Sequence, residues 1–302
     1  MENKKILITG GAGFIGSNLV KTLQEKYPDN KYYIIDNFSS GNADNLTGFK
    51  GEIIRANIAE IDLNKHFDTL DVIFHQAAIT DTTVFDEKRM LFNNVDGFKN
   101  VLNFALKCGA KLIYASSAAV YGHSSPPMLV GKNEVPANVY GLSKLKADNI
   151  ARENFNNLHI VGLRYFNVYG PGEKYKGKMA NMIWQFYLQM REGKKPTVFG
   201  DGEQKRDEVY IKDVVNANLL ALESKKSGIF NVGTGKATTF NEIIRNLNEV
   251  IGTNFKPEYI DNPYEHYQEN TEADLTETRE FLRYSPEYDI KKGIKDYFKS
   301  QI

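Results

Sequence analysis

The sequence predicts an α/β fold, a doubly wound parallel sheet followed by a smaller C-terminal lobe, and three observations carry that expectation. Short, almost wholly apolar runs alternate with longer segments of roughly 3.6-residue periodicity through the first half of the chain, the pattern of a buried parallel sheet covered by helices. The first of those runs passes directly into a glycine-rich turn and a helix. Beyond Pro171 the alternation gives way to irregular pieces, as expected of a second lobe resting on the sheet edge. The chain has 302 residues, enough for both parts. We place the sheet domain at 1–170, joined by a later strand near 228–233, and the lobe mainly at 171–302.

Taken in order, KKILITG, YYIIDN, GEIIRANI, DVIFHQAA, KLIYASS and IVGLRYFNVYG read as strands buried on both faces, because nearly every residue is apolar. SNLVKTLQEKY and VDGFKNVLNFALKCG, lying between them, have helical periodicity. After Pro171 come a loop rich in Gly and Lys, a helix around MIWQFYLQMREG and a turn at GDGEQKRDEV. A last apolar strand, GIFNVG, and a helix, FNEIIRNLNEVIG, follow. Neither repeats nor low-complexity segments interrupt this order.

Composition removes several classes of function. Lys plus Arg and Asp plus Glu number 38 each, so there is no net charge to attract nucleic acid or an anionic membrane. Cys108 is the only cysteine, which leaves no intrachain disulfide and no cysteine-based metal site. The five histidines lack ligand spacing. At the N-terminus the apolar run ILI is too short for a signal peptide or a membrane span, and we expect a cytoplasmic enzyme.

The first strand runs into Gly10-Gly11-Ala12-Gly13-Phe14-Ile15-Gly16 and then a helix. That spacing lets a backbone turn approach a pyrophosphate seated on the helix N-terminus, the Rossmann arrangement. GxGxxG alone is weak, since any tight turn uses glycine; here it has a strand before it, a helix after it and an acid at the right distance. The acid is Asp36, twenty residues beyond Gly16. A carboxylate there accepts hydrogen bonds from the adenosine ribose and repels a 2′-phosphate. The next residues, Asn37 to Gly41, include no Arg or Lys, so NAD is expected ahead of NADP.

Tyr140 and Lys144 stand four residues apart at the start of a helix and share one face. A free phenol, with a pKa of about 10, is a poor base at neutral pH; an ammonium and a nicotinamide cation nearby would stabilise its anion. Ser117, ending the KLIYASS strand, can give a hydroxyl to the reacting oxygen. A Tyr and Lys at this spacing are usually a surface pair, but here they follow a Ser-bearing strand and a dinucleotide fingerprint.

GGAGFIG, Asp36-Asn37, HQAA, ASSAAVYG, NVYGLSK and RYFNVYGPG resemble the extended short-chain dehydrogenase/reductase family, in its nucleotide-sugar-modifying branch. The resemblance covers nearly the whole chain. It implies a Rossmann domain with a small sugar-nucleotide lobe, a Ser117–Tyr140–Lys144 catalytic set, and a homodimer formed by two helices per subunit. Those would be the helix after Asn94 and the helix carrying Tyr140. It also implies a cofactor site of Gly10, Gly13, Phe14, Ile15, Gly16, Asp36, Asn37, Asn57, Ile58, Ala77, Ala78, Asn94, Tyr140 and Lys144. Substrate would meet Thr82, Ser117, Asn167, Lys176, Arg206 and Tyr267.

Dehydratases and decarboxylases of this branch carry an acid beside the active Ser or Thr. Here Ala118 and Ala119 follow Ser117, and neither can shuttle a proton in an elimination. Epimerisation needs only oxidation, reorientation of the ketone and re-reduction. Asn57-Ile58-Ala59, AAITDTT, YKGKM, GIFNVGTGKATTF and YQENTEADLT resemble the ADP-glycero-manno-heptose 6-epimerase family. That resemblance implies Lys176 as a second acid/base, although Lys176 also fits a plain solvated loop with several lysines. NFSSG and TVFGDGEQKRDEVYIKDV are instead close to UDP-hexose 4-epimerases, leaving that activity as the alternative. In either group Arg206 would grip the diphosphate through bidentate hydrogen bonds. Glu208 stands where an aromatic is usual, and the sequence supplies no physical reason for it. A non-catalytic dinucleotide-binding regulator is a further alternative, against which the retained Tyr140 and Lys144 argue.

Overall fold

The computed structural model describes residues 2–84, 86–262 and 270–299. The chain opens with β1 (Lys5–Thr9), α1 (Phe14–Lys26), β2 (Lys31–Asp36), β3 (Glu52–Arg55) and β4 (Val72–His75). Next come α2 (Glu87–Leu91), α3 (Gly97–Cys108), β5 (Lys111–Ser117), α4 (Val139–Glu153) and β6 (Ile160–Tyr165). The remainder is β7 (Asn167–Tyr169), α5 (Met182–Arg191), β8 (Thr197–Phe199), β9 (Lys205–Tyr210), α6 (Ile211–Glu223) and β10 (Gly228–Val232). β11 (Ala237–Thr239), α7 (Phe240–Ile251), β12 (Glu258–Ile260), α8 (Thr276–Leu282) and α9 (Ile290–Phe298) complete it.

Seven strands form one sheet in the order β10-β6-β5-β4-β1-β2-β3, and every pairing in it is parallel. The chain builds outward from β1 to β3, then returns to place β4 on the other side of β1. This reversal is the topological switch point, where the carboxyl ends of parallel strands open a crevice. Adjacent residues of β1 explain the burial: Ile6 and Ile8 enter one apolar cluster and Leu7 the other, all fully buried. A strand covered on both faces has no use for polar alternation, which is why these runs are continuously apolar. The first cluster continues past the sheet into Tyr210, Phe240, Leu247, Tyr284 and Phe298.

Three sequence expectations need correction. GEIIRANI yields only a four-residue strand, and it lies at the sheet edge with Ile53 45% exposed; an edge strand has a neighbour on one side only. IVGLRYFNVYG is two strands, since Phe166 carries the chain out of the large sheet at β6 and into a second, three-stranded sheet ordered β11-β9-β7. The region GDGEQKRDEV turns only in its first half. From Lys205 it is β9, the central strand of that second sheet.

Candidate active site

A cleft of about 820 Å³ opens at the switch point and runs from the glycine turn to the second sheet. Its walls include Gly10, Gly13, Phe14, Ile15, Gly16, Asp36, Asn37, Asn57, Ile58, Ala77 and Ala78. Ser117, Tyr140, Lys144, Asn167, Lys176 and Arg206 line the same cleft. A smaller adjoining hollow adds Thr82 and Thr271 and shares Ser117, Tyr140 and Asn167.

The turn after β1 is built for close approach. Gly10 has φ +69°, and a Cβ there would lie 2.7 Å from the Ala77 amide nitrogen; only glycine fits. α1 starts at Phe14 with no side-chain cap and no acid in its first turn, so its amide groups remain available to an anion. Asp36, buried at the end of β2, accepts hydrogen bonds from the Ala12 amide at 2.9 Å and the Phe38 amide at 2.8 Å. It therefore braces the glycine turn. Burial pushes its carboxyl up, with those two amides opposing. On the opposite wall Ser116 Oγ is buried with no hydrogen-bond partner among the described residues. An open helix N-terminus, a buried carboxylate in the cleft wall and an uncommitted hydroxyl fit a dinucleotide.

The chemistry-bearing set comes from β5 and α4. Asn138 Oδ1 accepts from the Gly141 amide at 2.8 Å and starts α4, putting Tyr140 in the first turn and Lys144 one turn on. A Cβ on Gly141 would lie 2.4 Å from the Ala119 carbonyl oxygen. That glycine lets the helix approach the segment after Ser117 closely enough for the Ser117 hydroxyl to hydrogen-bond the Tyr140 phenol. Within the protein alone burial pushes that phenol up, and the Ser117 bond opposes the shift. Lys144 Nζ donates to the Ala115 carbonyl at 2.9 Å and sits 5.8 Å from the Tyr140 ring centre. Burial brings its ammonium down to about 8, against the pull of Asp148.

Lys176 reaches the cleft from the segment Glu173–Met179, with Nζ 5.8 Å from the Phe14 ring centre. Glu173 pins this segment: one carboxylate oxygen accepts from the Gly170 amide at 2.9 Å, the other from the Asn181 amide at 2.7 Å. Burial pushes the Lys176 ammonium down and Glu173 partly restores it, the direction an acid/base needs.

Asn94 has a different place from the one the resemblance implied. It lies behind the cleft wall, its amide spent on the Ile79 backbone and on Ser143 Oγ at 3.0 Å, which steadies α4 beside Lys144. Tyr267 falls outside the described residues. Sequence reasoning missed Ser116 and Asn181 and noted Glu208 without giving it a role; all three are on the cleft wall. It also missed Arg55, whose backbone is the register partner of Asp36 and whose guanidinium lies 5.6 Å from the Phe38 ring centre. Period-two alternation of Arg206 and Glu208 was the one available signal for Glu208.

A family model described as "NAD dependent epimerase/dehydratase family" matches residues 6–233. The chain is 39% identical, over 97% of its length and 96% of the other's, to ADP-L-glycero-D-manno-heptose-6-epimerase of Brachyspira hyodysenteriae. It superposes on the crystal structure of Helicobacter pylori ADP-L-glycero-D-manno-heptose-6-epimerase with a TM-score of 0.94 and 46% identity, covering 99% of this chain and 96% of that one. UDP-N-acetylglucosamine 4-epimerase of Methanobrevibacter ruminantium gives a TM-score of 0.91 at 31% identity, with both chains fully covered.

Proposed function

The chain belongs to the NAD dependent epimerase/dehydratase family, and we propose that it inverts C6 of an ADP-glycero-manno-heptose by transient oxidation to the keto-sugar. It is an epimerase of nucleoside-diphosphate sugars. The observation that carries the heptose reading is that Lys176 and Tyr140, from different segments, line one cleft, which supports two proton carriers rather than one. Inverting an exocyclic centre leaves the nucleotide anchored while a short arm rotates, so the two faces of the ketone meet different protein groups. A ring C4 centre instead presents its faces in turn by swinging the whole ring, for which one tyrosine suffices. The test is incubation of the purified enzyme with ADP-D-glycero-D-manno-heptose, UDP-glucose, UDP-galactose and UDP-N-acetylglucosamine, with products followed by NMR. Conversion of the heptose alone supports the proposal. Conversion of a UDP-hexose establishes the 4-epimerase alternative, which the 0.91 superposition on such an enzyme keeps in view.

Bound NAD supplies a hydride acceptor and later the hydride donor. The protein does the rest. Tyr140 takes the proton of the sugar hydroxyl on one face of the reacting carbon. Ser117 holds that oxygen in place, and the Lys144 ammonium offsets the phenolate charge. Lys176 moves the proton on the other face, and Arg206 grips the diphosphate. Asn167, held by the Asp207 carbonyl and Thr271, lies beside the reacting sugar.

Asp36 favours NAD, since its buried carboxylate would face a 2′-phosphate; Arg55 next to it tempers that preference. We further assign a homodimer formed through α3 and α4, with Leu106 of α3, more than a third exposed, on the pairing face. No helix among the described residues is long and apolar enough to cross a membrane, and the cytoplasm is the proposed location.

A further inference from the structure

On β9 the side chains alternate. Arg206 and Glu208 face the cleft, while Asp207 between them turns away and accepts hydrogen bonds from the amides of Thr234, Gly235 and Ala273. β7 sets Asn167 in register beside Glu208. Glu208 is 4% exposed. Its Oε2 accepts from Asn181 Nδ2 at 2.6 Å, and Asn181 cannot turn away because its own oxygen caps α5 on the Ile183 amide. Among the described residues Oε1 of Glu208 accepts no hydrogen bond. A carboxyl with one oxygen tied back and the other uncommitted thus stands in the cleft wall, two residues from the group that grips the diphosphate.

We propose that Glu208 is a binding residue for the nucleotide half of the substrate, entering the complex as a neutral acid whose Oε1 hydroxyl donates a hydrogen bond to an oxygen of the diphosphate–ribose unit held by Arg206. This rests on the nucleotide-sugar reading of the site. Burial pushes the Glu208 carboxyl up to about 8. The charged groups that act on it are Arg206 on its own strand, which favours the anion, and Glu173 and Asp207, which disfavour it. Tyr169, on β7, is a buried phenol whose ionisation Glu208 opposes in turn. A diphosphate arriving beside this group adds negative charge and holds it neutral more firmly. An ionised Glu208 would repel that diphosphate, whereas the protonated acid supplies the donor a phosphate or ribose oxygen needs.

Binding of ADP and UDP to the NAD-loaded protein by calorimetry, at pH 7 and pH 9, tests it on three proteins: unmodified, Glu208→Gln and Glu208→Leu. Glu208→Gln keeps an uncharged donor and removes the titration. If only the neutral acid binds, the unmodified protein should lose about tenfold more affinity than Glu208→Gln between those pH values, following the neutral fraction. Glu208→Leu should bind about tenfold more weakly at pH 7, the loss of one hydrogen bond. Parallel pH profiles for the unmodified protein and Glu208→Gln, or full affinity in Glu208→Leu, would overturn the proposal alone. Failure of the unmodified protein to bind either nucleotide would overturn both the proposal and the nucleotide-sugar reading.

Discussion

Arg164 Nε and Nη2 both donate to Asp148 Oδ2, at 2.9 and 2.7 Å, with neither side chain exposed to solvent. The pair ties β6 to α4 one turn beyond Lys144. Tyr114 donates to the other oxygen of Asp148 at 2.7 Å, and Glu134 lies 2.7 Å from Arg164 Nη1. The helix carrying Tyr140 and Lys144 is thus pinned to the sheet by a buried ionic network. Removing one partner strands the rest, so Arg164→Met should cost about 3–5 kcal/mol of stability. A double variant with Asp148→Asn should cost less than the sum of the two singles, as read from denaturant unfolding. Strict additivity would show that the pair does not act as a unit.

Tyr140→Phe should keep the fold and cofactor binding while lowering turnover at least 10²- to 10⁴-fold, on the order expected for a lost general acid/base. Lys144→Ala should lower turnover similarly and also weaken NAD. Ser117→Ala should be milder, because it removes one hydrogen bond and leaves the proton carrier. Near-normal turnover in Tyr140→Phe would mean another group carries the proton.

Lys176→Met should nearly abolish heptose epimerisation while leaving ADP binding measurable. Survival of rapid epimerisation in this variant would remove the second proton carrier, and with it the argument for an exocyclic centre.

The proposed preference for NAD rests on two neighbours on β2 and β3, Asp36 and Arg55. The unmodified protein should bind NAD more tightly than NADP, and Asp36→Ala should narrow that gap. Arg55→Ala should widen it, because Arg55 is the register partner of Asp36 on the neighbouring strand and its guanidinium would favour a 2′-phosphate. Fluorescence titration with both dinucleotides measures all three; equal affinities in the unmodified protein would refute the assignment.

Stability should depend on pH with a sign that follows from buried groups. Glu173 and Glu208 are pushed up to about 7 and about 8, so each favours the fold below its ordinary carboxyl range and loses that contribution as pH rises through the folded value. His75 is pushed down to about 3 by burial, so it favours the fold above about 6.5 and loses that contribution as pH falls. The two effects oppose one another from about pH 4.5 to 6.5. Between pH 6.5 and 8 these carboxyls act without opposition from His75, and the Tm of the protein should fall across that interval. In Glu208→Gln the fall should be smaller; an unchanged slope would show that Glu208 titrates elsewhere.

The features visible in sequence were local ones. The glycine turn, the acid ending β2 and the Tyr140–Lys144 spacing are relations within one strand–turn–helix or one helical turn, where chain geometry alone sets which groups meet. The apolar runs announced their strands because burial on both faces leaves no other composition. The structure decided what depends on contacts between distant segments. It placed Arg55 beside Asp36 through strand pairing and turned Asn94 behind the wall to hold Ser143. It made β9 out of an expected turn by setting it between β7 and β11. Glu208 is the clearest case. In sequence it is a charge where an aromatic is usual, with no reason given, and only a buried place in the cleft wall, with Asn181 fixed against it, makes its proton a matter of binding, because desolvation is a property of the surroundings and not of the residue.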